Sequence, residues 1–361
     1  MPYGTPRGIE ISRSNIAMAT SPPIRTYIMF LFFIGSLKVV ISDNNPWDLK
    51  SIKKLFKDCQ LYQTWETCFD VFILKRKMEI IETHCTSILT RTSGYLKDVS
   101  SHSLNPYVGC GYGNSSCGVG CYVRSNQWIL RGRKWGDFVD IKVNADEVYS
   151  LTVQTERRWA LGKGISFSIF FSSSTDPWQP IERKFRITRR LLNQMLKQPP
   201  DKLILQTHSS IIVEDIEIIV ALKHLCDLRV HLSIEGDRDS LPGLPPPPCS
   251  VNQRIKLVEK LTSRGITTIV CMSPLYPLID PDRFFSQLTK AGASAVVIDH
   301  FIEGDGTQNG SRTYRTPLPS AIKLIDEEAL ELSYRDSIAS IARNYLPVGI
   351  SSTGFAGIYS S

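Results

Sequence analysis

The sequence lacks an apolar run long enough to cross a bilayer as a helix, which takes about 20 residues. Its nearest approach is Tyr27 to Ile41 (YIMFLFFIGSLKVVI), and Lys38 interrupts it. Following Arg25, this run has the look of a signal or anchor core; a bare N-terminal extension is the other reading, so membrane attachment through residues 27–41 stays open. The chain also lacks an even cysteine count. Nine cysteines cannot all pair, which argues against a disulfide-stapled secreted scaffold. A reducing compartment, cytoplasmic or organellar, fits best. A strong charge imbalance is missing too. The net charge of +7 pulls only weakly on an anionic partner.

What the sequence does have is a stretch from His102 to Asn126, HSLNPYVGCGYGNSSCGVGCYVRSN. Cys110, Cys117 and Cys121 fall close together, among Gly109, Gly111, Gly113, Gly118 and Gly120. Neither helical nor strand periodicity runs through it. Glycine permits tight folding and close backbone approach. A loop that gathers three thiols can hold zinc, or an iron–sulfur cluster with one iron left without a protein ligand. The remaining cysteines, Cys59, Cys68, Cys85, Cys226, Cys249 and Cys271, show no metal-ligand spacing and read as small buried hydrophobes.

The chain of 361 residues can bury a full core, as one large domain or one with extensions. Residues 1–45 form an extension carrying the apolar run. Residues 46–89 read as a helical N-terminal region, with Trp47, Leu49, Ile52 and Leu55 as a stripe up to about residue 85. Ser87 to Asp98 reads as extended. Phe138 to Val143 alternates like a strand, and Asn144 with Glu147 opens a helix. Strands and helices then alternate. The strands are 165–171, 202–206, 229–234, 266–272 and 293–299; the helices are 180–197, 213–226, 250–264 and 281–291. Ser250 caps one helix, and Gly265 and Gly292 close two. Counting a strand before Cys110, about six strand–helix units make an α/β fold, a partial TIM-like barrel of (β/α)6 type or an open wound sheet. Pro245–Pro248 reads as a stiff loop over one strand end. Residues 301–361 form a C-terminal extension with one helix, 327–344.

In such folds, chemistry belongs at the carboxyl ends of the strands. Those ends carry the cysteines, then Ser172–Trp178, Thr207–Ser210, Ser233–Asp237, Ser273–Pro277, and Asp299 with His300. Each is explained alone by ordinary helix capping. Together with the cysteines on the same face they suit a small polar cofactor.

At these residues the chain resembles a family. SLNPYVGC (Ser103–Cys110), GCYVR (Gly120–Arg124), STDPWQPIERKFRITRRLL (Ser174–Leu192), LILQTHS (Leu203–Ser209), LSIEGD (Leu232–Asp237) and MSPLYPLID (Met272–Asp280) resemble the radical S-adenosylmethionine enzymes, in the branch of spore photoproduct lyase and its DNA repair photolyase relatives. The resemblance covers residues 90–300. It implies a 4Fe–4S cluster on Cys110, Cys117 and Cys121, with S-adenosyl-L-methionine on the fourth iron. It implies reduction by a donor such as ferredoxin or flavodoxin, and a 5′-deoxyadenosyl radical that abstracts hydrogen. Carried over by position, Tyr122 lies near the adenine, Thr175 and Asp176 meet the cofactor's amino end, and Ser233 its methionyl or ribose part. Two departures stand out. The family spaces its cysteines by three and then two residues, against six and three here. Its third strand ends in Thr-Lys, where this chain has Thr207-His208, and a histidine takes that place as an imidazolium or a neutral donor. Tyr122 and His208 are the candidate catalytic residues.

The alternative is a non-catalytic metal protein, with zinc on the three cysteines and His102 as fourth ligand. Nucleic acid is a separate candidate partner. Arg183, Lys184, Arg186, Arg189, Arg190 and Lys197, with Arg131, Arg133 and Lys134 beside Trp128 and Trp135, fit either a phosphate track or a solvated face.

Overall fold

The computed structural model describes residues 78–360 and the backbone of three earlier strands, Ile28–Phe33, Ser36–Ser42 and Phe69–Leu74. The chain divides into two compact units, Met1–Arg76 and Lys77–Ser361. In the first unit, Ile28–Phe33 and Ser36–Ser42 pair antiparallel, and Phe69–Leu74 joins the second of them in parallel. The apolar run thus falls on two strands, in keeping with its aromatic and β-branched residues. The helical expectation for residues 46–85 is corrected where the chain is described: Phe69–Leu74 and Glu79–Thr83 are strands. FDVFIL and EIIET are rich in β-branched and aromatic residues and too short to carry a helical stripe. The stripe Trp47–Leu55, Cys59 and Cys68 lie outside the described residues. Among the described residues, no helix is long and apolar enough to cross a membrane.

The second unit is built on an eight-stranded sheet. Its strands are β1 (Leu89–Arg91), β2 (His102–Leu104), β3 (Ser168–Phe171), β4 (Lys202–Thr207), β5 (Asp227–Ser233), β6 (Thr268–Met272), β7 (Ala295–Ile298) and β8 (Val348–Ile350). They lie side by side in chain order. All neighbours are parallel except β1 with β2. The sheet is not closed: β1 and β8 are its two edges. Each of β2 to β7 is followed by a helix before the next strand, which gives the expected partial (β/α)6 barrel. The additional parallel strand β8 lies within the segment read as a helical tail. It is only three residues long, too short to show a pattern.

The alternation of side chains explains the layers. Ile169, Phe171, Leu203, Leu205, Val230, Leu232, Val270, Met272, Val296 and Ile298 pack towards the helices in the main core. Phe170, Ile204, Ile269, Cys271, Ala295 and Val297 face the other way and form a second cluster with Phe355. Strands buried on both faces read as near-continuous apolar runs, which is why they were legible. The helices supply matching stripes, such as Ile187, Leu191, Leu192 and Met195.

Helix ends follow side-chain chemistry. Ser250 and Gln253 form a reciprocal capping box. Asp280 caps the helix Pro281–Lys290. Asn144 departs from expectation: it does not cap, but brackets the backbone of Cys85, accepting from its N–H at 2.8 Å and donating to its carbonyl at 3.0 Å. The helix expected over 180–197 breaks at Arg186, which is left-handed with φ 55°. The cause is Glu182. Its buried carboxylate accepts from the N–H groups of Thr188 and Arg189, capping the second helix from within the first. A second, smaller sheet (Glu79–Thr83, Phe138–Lys142, Tyr107–Gly109) delivers the chain into Cys110.

Candidate active site

The cysteine loop is held at three points. The Gly111 N–H donates to Gln179 Oε1 at 2.6 Å, tying the loop to the segment after β3. The Tyr112 hydroxyl meets Ser209 Oγ at 2.9 Å and the Trp178 carbonyl at 3.2 Å. The Ser116 N–H donates to the Pro246 carbonyl at 3.2 Å, so the proline segment braces the short helix Ser116–Gly120 that carries Cys117. Two glycines are required sterically. A Cβ on Gly118 would lie 2.2 Å from the Tyr112 carbonyl oxygen, and one on Gly113 would lie 2.3 Å from the Gly136 Cα.

This loop walls a cavity of about 610 Å³ at the carboxyl ends of the parallel strands. All eight site residues expected from the sequence line it: Cys110, Cys117, Cys121, Tyr122, Thr175, Asp176, His208 and Ser233. The three thiols are free. Burial, and then the charge of Asp176, push Cys110 up to about 12. Burial pushes Cys121 up to about 11 and Cys117 well above the usual thiol value, with Cys110 adding to the latter. Each of the three feels at least one of the others electrostatically. Burial outweighs the nearby charge of Arg124 at Cys121, and a metal centre would displace the thiol protons.

Among the described residues, no three His, Cys, Asp or Glu side chains stand close enough to hold one metal ion. A single zinc draws its thiolates to about 2.3 Å from one point. Ligands of a four-iron cluster bind separate irons and stand farther apart. His102, the expected fourth zinc ligand, is not at the cavity. It is fully buried beside Trp159 and Phe167, with Nδ1 2.9 Å from Ser101 Oγ and Nε2 3.0 Å from Glu156. A histidine next to the cysteine run in sequence sits on β2, in a different sheet from the strand that leads into Cys110.

The polar side of the cavity is a chain of charges. Asp176 Oδ1 accepts from the Trp178 N–H at 2.9 Å and from Thr207 Oγ1 at 2.8 Å; its Oδ2 accepts from the His208 N–H at 2.8 Å. Its carboxylate therefore pins the end of β4 to the turn after β3. The His208 ring lies between two carboxylates, with Nδ1 3.7 Å from Asp176 Oδ2 and Nε2 2.9 Å from Glu235 Oε1. Burial disfavours its charge, but the two carboxylates outweigh burial and raise it to about 9. His208 is thus an imidazolium at neutral pH. Glu235 is in turn paired with Arg254, whose Nη1 reaches Glu235 Oε2 at 2.8 Å and the Ser233 carbonyl at 2.6 Å. Against burial, Arg254 and His208 hold the Glu235 carboxyl far below its ordinary range. Arg254 is 2% exposed. Its role was not legible, because an arginine inside an amphipathic helix reads as solvated surface.

Several polar groups at the cavity have unspent capacity. Thr175 Oγ1, Ser172 Oγ and Gln206 Oε1 are buried without a hydrogen-bond partner. Ser172 is also left-handed, φ 74°, a costly conformation that sites tend to retain. Gln206 Nε2 donates to Ser233 Oγ at 2.7 Å. The Tyr122 hydroxyl donates to the Ser173 carbonyl at 2.7 Å, fixing its ring along the wall. Asp299 is gripped by Ser351, Ser273 and Tyr95, and burial raises it.

The basic helix face is largely spent on the protein itself. Arg183 and Arg186 pair with Glu214, Arg189 with Asp215, Arg190 with Asp146, and Arg133 with Asp140.

No family model matches the chain. An uncharacterized protein of Methanocaldococcus jannaschii is 29% identical over 191 residues, 52% of this chain and 66% of that protein. Among solved structures, a spore photoproduct lyase variant with a dinucleoside spore photoproduct is similar with a TM-score of 0.52 at 14% identity, over 75% of this chain and 80% of the other. A second variant of that lyase, with bound AdoMet and the dinucleoside, gives a TM-score of 0.49 at 13% identity over 75% and 81%. The chain therefore shares the fold of the spore photoproduct lyase structure, a mixed α/β partial barrel whose parallel sheet stays open.

Proposed function

We propose that this chain is a radical S-adenosylmethionine enzyme, with Cys110, Cys117 and Cys121 holding a 4Fe–4S cluster. One observation carries the reading: three free thiols, Cys110 buried and Cys117 and Cys121 half-buried, share a strand-end cavity with unpartnered hydroxyls and a histidine set between two carboxylates. The thiolate donor set suits iron and sulfide. When bound, the cluster and S-adenosylmethionine supply low-potential one-electron cleavage and hydrogen-atom abstraction. The chain's own residues do the rest. His208, held between Asp176 and Glu235, would stand beside the cofactor's polar end. Thr175 Oγ1 and Ser233 Oγ receive its polar groups, with Asp176 holding the turn that presents Thr175. Tyr122 would lie against the adenine. The apolar floor of Phe170 and Phe355 excludes water.

Electrons would come from a ferredoxin or flavodoxin. A lesion in nucleic acid is the substrate to test first, given the dinucleoside carried by the lyase of like fold.

Anaerobic reconstitution with iron and sulfide should give bound iron and sulfide and a broad absorbance. Reductant with S-adenosylmethionine should then release 5′-deoxyadenosine. A C121A protein that keeps the same cluster, or a wild type that binds one zinc and no sulfide, would overturn the reading.

A further inference from the structure

We propose that Arg312 is the anchor for an oxyanion on the substrate, a phosphate or carboxylate edge that the guanidinium grips with two N–H groups. This deepens the radical-enzyme reading and rests on it for the word substrate. Arg312 lies outside the parallel strand ends, in the segment that follows β7, and yet it lines the same cavity. Among the described residues it has no carboxylate within ion-pair distance. Its recorded side-chain bond runs from Nη1 to the backbone carbonyl of Asp305, 3.1 Å away. An arginine at a cavity wall with most of its donors unspent is unlike His208, which is matched by two carboxylates.

The segment is built to hold that guanidinium. Gly306 sits beneath it at φ 81°, and a Cβ there would come within 2.6 Å of Arg312 Nη1. The Asp305 carboxylate turns away from the arginine and instead accepts from Thr307 and from the Thr313 N–H, closing the loop around residue 312. Ser125 Oγ donates to the Arg312 carbonyl at 3.5 Å, which places the arginine beside the Tyr122–Ser125 turn, whereas His208 pairs with Glu235 on the β4–β5 side. His208 is matched by Asp176 and Glu235, whereas the fork of Arg312, on the other wall, is left for the substrate's oxyanion.

The test is a titration of the full-length protein with inorganic phosphate and, separately, with ¹³C-labelled acetate at constant ionic strength. Binding is read from ³¹P or ¹³C line broadening, before and after cluster reconstitution. Wild type should bind at least one probe, and the preferred probe tells phosphate from carboxylate. R312Q should weaken that binding about tenfold or more, the loss of roughly 1.4 kcal/mol. R312K should fall between, because it keeps the charge and loses the fork. Affinity for S-adenosylmethionine, read by equilibrium dialysis, should move less than twofold in R312Q. The proposal is overturned if wild type binds neither probe, if R312Q binds as tightly, or if R312Q loses S-adenosylmethionine in parallel. A wild type that makes no 5′-deoxyadenosine defeats the radical reading instead, and the probe titration still decides Arg312.

Discussion

His208 shows what a single residue's surroundings decide. Its side chain is about a quarter exposed, and what it is exposed to is the cavity. Its raised folded pKa, about 9 against 6.5, favours the folded state while the ring is charged in both states. That stabilisation is complete below pH 6.5 and is lost as pH rises through 9. Wild type should therefore lose on the order of 1–3 kcal/mol between pH 6.5 and 9.5 relative to His208→Gln, seen as a steeper fall in the urea midpoint. Under the proposed function, affinity for S-adenosylmethionine should fall over the same range. Glu235→Gln removes one of the two carboxylates, and the imidazole titration followed by NMR should move down from about 9.

Arg254 supports the same chain from behind. Removing one member of a buried ion pair costs about 3–5 kcal/mol, because the other charge is left uncompensated. Arg254→Leu should lower the urea midpoint accordingly; an unchanged midpoint would show that Glu235 does not depend on it. His208 and Ser233 were legible as cavity-lining positions because strand tips are short and ordered. The sequence could not reveal Arg254, which meets Glu235 only through the fold.

At the scale of an element, the cysteine loop is first of all a packed shape. The six and three residues between its cysteines are accommodated by close backbone packing. Gly118→Ala tests this. Its Cβ would strike the Tyr112 carbonyl oxygen and the Gly113 Cα at 2.2 and 2.4 Å, both backbone atoms that cannot swing aside. We expect a cost of about 1–3 kcal/mol in thermal stability, the usual range for overpacking. Reconstituted iron should also drop, while far-ultraviolet circular dichroism keeps the sheet signal. Full iron loading in that variant would show that the loop closes some other way. The helix break at Arg186 marks the limit of reading elements from periodicity. The apolar stripe continues across it, and the interruption comes from a buried Glu182 that no pattern of hydrophobic residues records.

At the scale of the molecule, the six strand–helix units were legible because burial on both faces writes each strand as an apolar run. Two edges were not. Glu79–Thr83 is the edge strand of the small sheet, and its own largely exposed side chains carry no apolar alternation. The strand β8, VGI, is too short to signal itself, yet it pairs in parallel with β7 through Val348, Gly349 and Ile350. Without it, β7 becomes the sheet's unpaired edge, and its apolar face loses Phe355, which closes the second core cluster. Exposed, flat, apolar edges invite pairing with other chains. A protein ending at residue 347 should therefore melt at lower temperature and self-associate on a sizing column at concentrations where the full chain does not. Equal melting and an unchanged elution volume would show that β7 tolerates solvent, and that the barrel's far wall is held by its helices alone.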